Sequence, residues 1–173
     1  RDAIPAAVEM QVSGMGLDVG RLDDIIRSWE DRLHQMKCDW SSTFGSVSPG
    51  TPSAVRAWLS SILDARQLEE WPKTGVTGAL STKAGDLSRA SDMPGVRMLL
   101  EIRHLEKLLS VFGEKLRNKR NIATRRIHPN YIVAGTRSGR WTCNDPNLQQ
   151  MPSERRVPGF RGVFCADAGY TLL

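Results

Sequence analysis

The stretch Ser138-Gly139-Arg140-Trp141-Thr142-Cys143-Asn144-Asp145-Pro146-Asn147-Leu148-Gln149-Gln150-Met151-Pro152 sets an arginine and the side-chain amides of Asn147, Gln149 and Gln150 among turn-forming glycine and prolines. It offers neither paired carboxylates nor a metal-ligand cluster, so it is poorly equipped to break bonds. It is well equipped to touch base edges. In the minor groove A·T and T·A pairs present an acceptor in nearly the same place, at adenine N3 or thymine O2. A donor aimed there ignores which base it meets, yet senses whether the pair has normal geometry. Arg140, Asn147 and Gln149 carry such donors, and the chemistry they suggest is recognition of duplex shape. Amides in proline-rich turns equally serve to cap backbone groups, so residue types alone leave both roles open.

The charge distribution points the same way. Residues 1–100 carry 11 Lys+Arg against 13 Asp+Glu, a net −2, whereas residues 101–173 carry 13 against 6, a net +7. Within the second part, 115–161 hold 11 basic groups and only 2 acidic ones. A positive field this concentrated suits a polyanion, because each neutralised phosphate releases counterions; a solvated face balanced from elsewhere in the fold is the competing account. The three cysteines, Cys38, Cys143 and Cys165, form no CxxC pair, which argues against a disulfide framework or a zinc site and for a reducing, intracellular setting. No apolar run approaches the ~18 residues that span a bilayer, and the N-terminal RDAIPAAVEM lacks the order of a signal peptide. A membrane role is not expected.

The elements that must position these residues follow from periodicity. Leu22, Ile25, Ile26, Trp29, Leu33 and Met36 recur at helical spacing and predict a long amphipathic helix over 17–40, with Asp18 placed as its N-cap. Thr51-Pro52 opens a second helix, with the proline where a missing N–H is tolerated. The Gly-, Pro- and Thr-rich stretch 69–82 predicts a loop, an exposed tip, with Ser81 or Thr82 capping a short helix after it. Pro94 starts one apolar stripe through Val96, Leu99, Ile102, Leu105, Leu108, Leu109, Phe112 and Leu116. After Arg120 short strands and turns are expected, and the final GYTLL reads as the start of a buried strand. The fold class is therefore α+β: a mostly helical lobe over 18–120, then a basic region of short antiparallel strands and turns over 121–173.

Read in order, these segments closely resemble family A DNA polymerases, the bacterial DNA polymerase I group. Thr136-Arg137-Ser138-Gly139-Arg140 followed by Asp145-Pro146-Asn147-Leu148-Gln149-Gln150-Met151-Pro152 is similar to that family's T-x-T-G-R…(S/T)-D-P-N-L-Q-N-I-P segment. Trp71-Pro72-Lys73-Thr74 with Gly78, Ser81 and Thr82 resembles the thumb tip. Glu101 to Ser110 resembles the E-Y-R-x-L-x-K-L-x-S thumb helix, Arg126-Ile127-His128 the G-R-(I/V)-H strand, and Phe160-Arg161-Gly162-Val163-Phe164 the I-R-x-x-F element. The chain departs from the pattern at Ser138, Trp141 and Gln150, fits it loosely at SPGTPSAV, and has Glu154 where the family often has arginine, with Arg155 one place later.

The resemblance implies residues 1–17 as an opening palm segment, 18–120 as the thumb and 121–173 as the first part of the palm. It implies that Arg140 reaches the minor groove near the primer terminus, with Asn147 and Gln149 nearby, and that Arg126, His128, Arg103 and Lys107 bind duplex or organise the lobe. Thr136, Arg137, Gln150 and Arg161 complete the implied DNA-binding set. Competing local roles are a packed His128 bonded to backbone, and Arg103 or Lys107 paired with Glu101 or Glu106 along a helix face. In the family the catalytic aspartates, which hold two Mg²⁺ ions, and the nucleotide-binding helix would follow Leu173. The expectation is thus no catalytic residue, metal or cofactor in this stretch, and no polymerisation by it alone. Primer–template DNA, deoxynucleoside triphosphates and the remaining palm and fingers are the implied partners. The alternative readings are a non-catalytic duplex-binding module derived from a polymerase thumb, and a helical scaffold with no nucleic-acid role.

Overall fold

The computed structural model describes residues 3–167 and 169–170. In chain order it contains helix α1 (Ala3–Ser13), strand β1 (Met15–Leu17), the long helix α2 (Val19–Phe44), then α3 (Pro52–Ile62), α4 (Ala65–Glu70), α5 (Ala84–Leu87), α6 (Pro94–Phe112) and α7 (Glu114–Arg117). Strands β2 (Arg126–Ile127), β3 (Asn130–Ile132), β4 (Thr142–Asn144) and β5 (Phe164–Cys165) follow, with single-turn 3₁₀ helices at Ser88–Ala90, Leu148–Gln150 and Phe160–Val163. The fold class is α+β, as the patterning requires. The residues fall into two compact units, one of Arg1–Ser28 with Leu109–Leu173 and the other of Trp29–Leu108. The span 18–120 is thereby shared between both.

The Trp29–Leu108 unit is helical. Its core joins Trp40, Val55, Trp58, Leu59, Leu99 and Ile102, all buried, around a cluster in which Trp40, Phe44 and Trp58 meet at ring-centroid distances of 4.5 to 5.3 Å. Pro52 does stand at the start of α3, after an extended Thr51. The sequence pattern did not reveal α4, yet its start is specified locally: Asp64 accepts from Gln67 N while the Gln67 side chain accepts from Asp64 N, a reciprocal capping box. Neither Ser81 nor Thr82 is the N-cap of α5; that position falls to Lys83, which makes no side-chain cap. Ser81 is instead buried, donating to Asp86 Oδ2 at 2.6 Å and accepting from Lys83 N at 3.3 Å. The Trp71 indole donates to Ser81 O at 3.0 Å. The base of the tip is thus pinned by side chains rather than by a simple helix cap.

In the other unit Asp18 meets expectation: its Oδ1 accepts from Arg21 N at 3.0 Å as α2 begins. The short strands assemble into a three-stranded antiparallel sheet ordered β2-β1-β5 and a separate two-stranded pair β3-β4. Its apolar centre includes Leu22, Leu116, Ile127, Val163 and Phe160, with the Phe160 ring 5.2 Å from Phe112 and 6.0 Å from Phe164. The apolar stripe expected to run unbroken from Pro94 to Leu116 divides at Gly113, where α6 ends and α7 begins. Leu116 is still buried, so the periodic pattern survives a break that periodicity alone does not detect. Of the strand expected in GYTLL, residues 171–173 lie outside the described residues, and Tyr170 is exposed.

Candidate nucleic-acid interface

The segment 136–140 forms a tight turn. Gly139 N donates to Thr136 O at 3.0 Å, and Gly139 takes the left-handed φ of +73° that a side chain disfavours. Thr136 Oγ1 accepts from Arg140 N at 3.0 Å and lies 3.0 Å from Ser138 Oγ. The Thr136 side chain therefore builds the turn. Its product is an exposed Arg140 whose guanidinium meets no hydrogen-bond or ion-pair partner among the described residues. Arg137 on the same turn is exposed and equally uncommitted.

The second half of the motif is tied to the first. Asn147 is the N-cap of the Leu148–Gln150 helical turn, its Oδ1 accepting from Gln149 N at 3.1 Å. Gln149 Nε2 donates to Trp141 O at 3.3 Å, next in sequence to Arg140. Of the two roles left open by the residue types, the structure shows the backbone one: each amide spends one group on the main chain. In Asn147 the group spent is the acceptor, which leaves its N–H donors, the kind of group that minor-groove acceptors require. Gln150 is exposed and Arg161 donates through Nε to Pro152 O at 3.3 Å.

Other sequence-derived positions are committed within the protein. Arg126 uses every nitrogen of its guanidinium: Nε to Ser13 O at 2.6 Å, Nη2 to Gly14 O at 3.2 Å and Nη1 to the Asp167 carboxylate. His128 lies with Nδ1 3.0 Å from Gln11 O and Nε2 2.9 Å from Thr124 Oγ1. In the helical unit Arg103 donates through Nε and Nη2 to Pro49 O, both at 3.3 Å, and through Nη1 to Thr82 O at 2.6 Å. Burial pushes its pKa down and the neighbouring Glu106 partly offsets this. Glu101 and Glu106 pair instead with Arg32 and Lys37, so the pairing with Arg103 or Lys107 along the helix face does not occur. Lys107 is exposed and unpaired among the described residues.

Sequence reasoning passed over one part of this surface. The Lys119 ammonium pairs with the Asp145 carboxylate at the head of the Asp145-Pro146-Asn147 turn. Lys115, Lys119, Asp145 and Asn147 line one cleft of about 310 Å³, floored by the buried Phe112 and Leu116. The only signal for it in the sequence is the density of lysine and arginine after Gly113, which does not say which cation finds the lone aspartate 26 residues on. The other carboxylate of the basic stretch, Glu154, accepts from Gly159 N. Both acidic groups within 115–161 are therefore occupied, while Lys115, Arg125, Arg137, Arg140, Arg155 and Arg156 have no side-chain partner among the described residues.

The two Mg²⁺ ions implied by the resemblance find no fitting ligand set here. Among the described residues no three His, Cys, Asp or Glu side chains gather to hold a metal, and Asp145 and Asp167 each face a cation. Nor is any helix among the described residues long and apolar enough to cross a membrane.

Comparison with known proteins gives this chain a family. The thermostable DNA polymerase I of Thermus thermophilus is 28% identical over 169 residues, covering 95% of this chain and 20% of that protein. DNA polymerase I of Pseudomonas aeruginosa is 34% identical over 130 residues, covering 72% of this chain and 14% of its own length. The chain thus spans a fifth or less of these curated relatives. Among solved structures, the POL domain of Pol1 from M. smegmatis in complex with DNA primer-template and dNTP matches with a TM-score of 0.66 at 24% identity, over 85% of this chain and 25% of that one, a likeness of fold. The model of DNA polymerase family A matches residues 20–173, nearly the whole chain, and the chain belongs to that family.

Proposed function

We propose that this chain is the thumb and first palm portion of a template-directed DNA polymerase, and that it holds primer–template duplex by phosphate contacts and sequence-independent minor-groove contacts. The observation that carries the reading is Arg140: an uncommitted guanidinium displayed by a turn that Thr136 and Gly139 preform, tied through Gln149 and Trp141 to the donor-bearing Asn147. Preorganisation matters because a side chain whose backbone is already fixed has less freedom to lose on binding. The exposed cations Lys115, Arg137 and Lys107 supply phosphate contacts. Arg103, Arg126 and His128 act by organising the protein, since their polar groups already have partners. In the intact enzyme the two Mg²⁺ ions, the deoxynucleoside triphosphate and the catalytic carboxylates belong to the remaining palm and fingers, and the 173 residues alone do not polymerise DNA. The setting is intracellular.

The test is binding of primed duplex measured by fluorescence anisotropy over a range of salt. Affinity should fall steeply as salt rises and change little when A·T pairs near the primer terminus are exchanged for T·A. Arg140→Ala should weaken binding about tenfold on every sequence, and Lys115→Ala should weaken it less while lowering the salt slope by about one. Wild-type affinity for Arg140→Ala would remove the central assignment. Primer extension after adding the remaining palm and fingers in trans separates a polymerase portion from a duplex-binding module, which predicts no restored activity.

A further inference from the structure

We infer that Lys119 is a positioning residue for Asn147, acting through Asp145, and that it does not itself contact DNA. The inference rests on the duplex-binding reading above and goes beyond it, because neither Lys119 nor Asp145 is part of the resemblance's DNA-binding set. Asp145 begins the turn that carries Asn147 and adopts a left-handed φ of +52°, a conformation that aspartate tolerates better than most residues but that still needs support from its surroundings. Three contacts supply the support. Lys119 holds the Asp145 carboxylate, Cys143 Sγ lies 3.4 Å from Pro146 O, and Asn147 Oδ1 caps Gln149 N at 3.1 Å. The first is the only one that reaches the turn from outside its own strand and turn, since Lys119 follows α7 and Asp145 follows β4.

The pair also has an electrostatic consequence. Asp145 is one of two carboxylates in a stretch with 11 basic groups, and it lines the same cleft as Lys115 and Asn147. Left bare, it would repel a phosphate approaching Lys115. Lys119 cancels that charge and in doing so has its own ammonium occupied. A direct phosphate contact and a positioning role therefore make opposite demands on Asp145. If Lys119 served DNA directly, removing the aspartate's negative charge would free it and tighten binding. If Lys119 serves the turn, removing that charge loosens the turn and weakens binding.

The experiment uses the 173-residue chain and the same primed duplex, at one fixed salt concentration, with thermal denaturation to verify folding of each variant. Lys119→Met and Asp145→Asn should each lower duplex affinity by about two- to fivefold, the range an exposed ion pair commands, and Lys119→Arg should retain wild-type affinity. In an Asn147→Ala background Asp145→Asn should have no further effect, because residues that act through one another are not additive, and Lys119→Met should keep only the smaller loss that the bared Asp145 carboxylate causes at Lys115. Tighter binding by Asp145→Asn, or a full additional loss when Lys119→Met is combined with Asn147→Ala, overturns the inference while leaving the duplex-binding reading intact. A wild-type chain without salt-dependent duplex binding overturns that reading, and this inference with it.

Discussion

Replacing Arg103 by methionine tests whether this cation of α6 serves DNA or the protein. Methionine keeps most of the unbranched stem and removes every donor. The loss is three hydrogen bonds to two main-chain carbonyls, Pro49 O and Thr82 O, which join α6 to the segment before α3 and to the end of the tip. A hydrogen bond from a charged donor contributes about 1.5–3 kcal/mol, but the two bonds to Pro49 share one acceptor and water can reach a half-buried site, so the summed cost is about 2 kcal/mol. For a unit the size of Trp29–Leu108 that corresponds to a fall in its melting temperature of about 10 °C. Differential scanning calorimetry supplies this number, and hydrogen exchange should show the loss of protection concentrated near residues 71–83. The salt slope of duplex binding should stay unchanged in the same variant, because no phosphate contact is removed. A slope lowered by about 0.9 with an unaltered melting temperature would refute the reasoning and return Arg103 to the DNA-binding set.

Two further expectations concern packing and titration. Gly95→Ala places a methyl group 2.7 Å from Phe44 Cζ and 2.8 Å from Trp58 Cζ2, rings that are locked against each other and against Trp40, so chemical denaturation should show a loss of about 1–3 kcal/mol; a neutral result would mean that the aromatic cluster yields freely. Burial of Tyr131 raises its pKa above the ordinary 10.0, with Cys143 adding to the effect. The folded value lies above the unfolded one, so this stabilisation is fully present below about pH 10 and is lost as pH rises through the folded value. Stability should accordingly fall more steeply above pH 10 in the wild-type chain than in Tyr131→Phe, and identical pH profiles would contradict the assignment.

The order of elements was legible because its causes are local. Apolar spacing announced α2 and α6, Asp18 and Pro52 marked helix starts, and the glycine and proline punctuation of 135–152 announced turns. Where prediction and structure part, the cause is a contact between distant residues or a break that periodicity ignores. Ser81 looked like a helix cap but is buried beneath the Trp71 indole with Asp86 as its partner. The stripe from Val96 to Leu116 looked like one helix and divides at Gly113. For Arg103 the residue type was equally suited to a phosphate, a carboxylate or a pair of carbonyls, and only the fold supplied the carbonyls.

The linear order of residues by itself determined the family, the α+β class, the concentration of positive charge after Gly113 and the identity of the donor-bearing turn, because each depends on residue type and on spacing within a few positions. What only the tertiary structure decided is which of many chemically equivalent cations remain available. Arg126, Arg103 and Lys119 carry the same kind of positive group as Arg140 or Lys115, but Ser13, Gly14 and Asp167 occupy the first, Pro49 and Thr82 the second and Asp145 the third. These partners lie from 21 to 113 residues away in the chain. Availability is a property of three-dimensional neighbours, and such neighbours leave no periodic trace in the sequence.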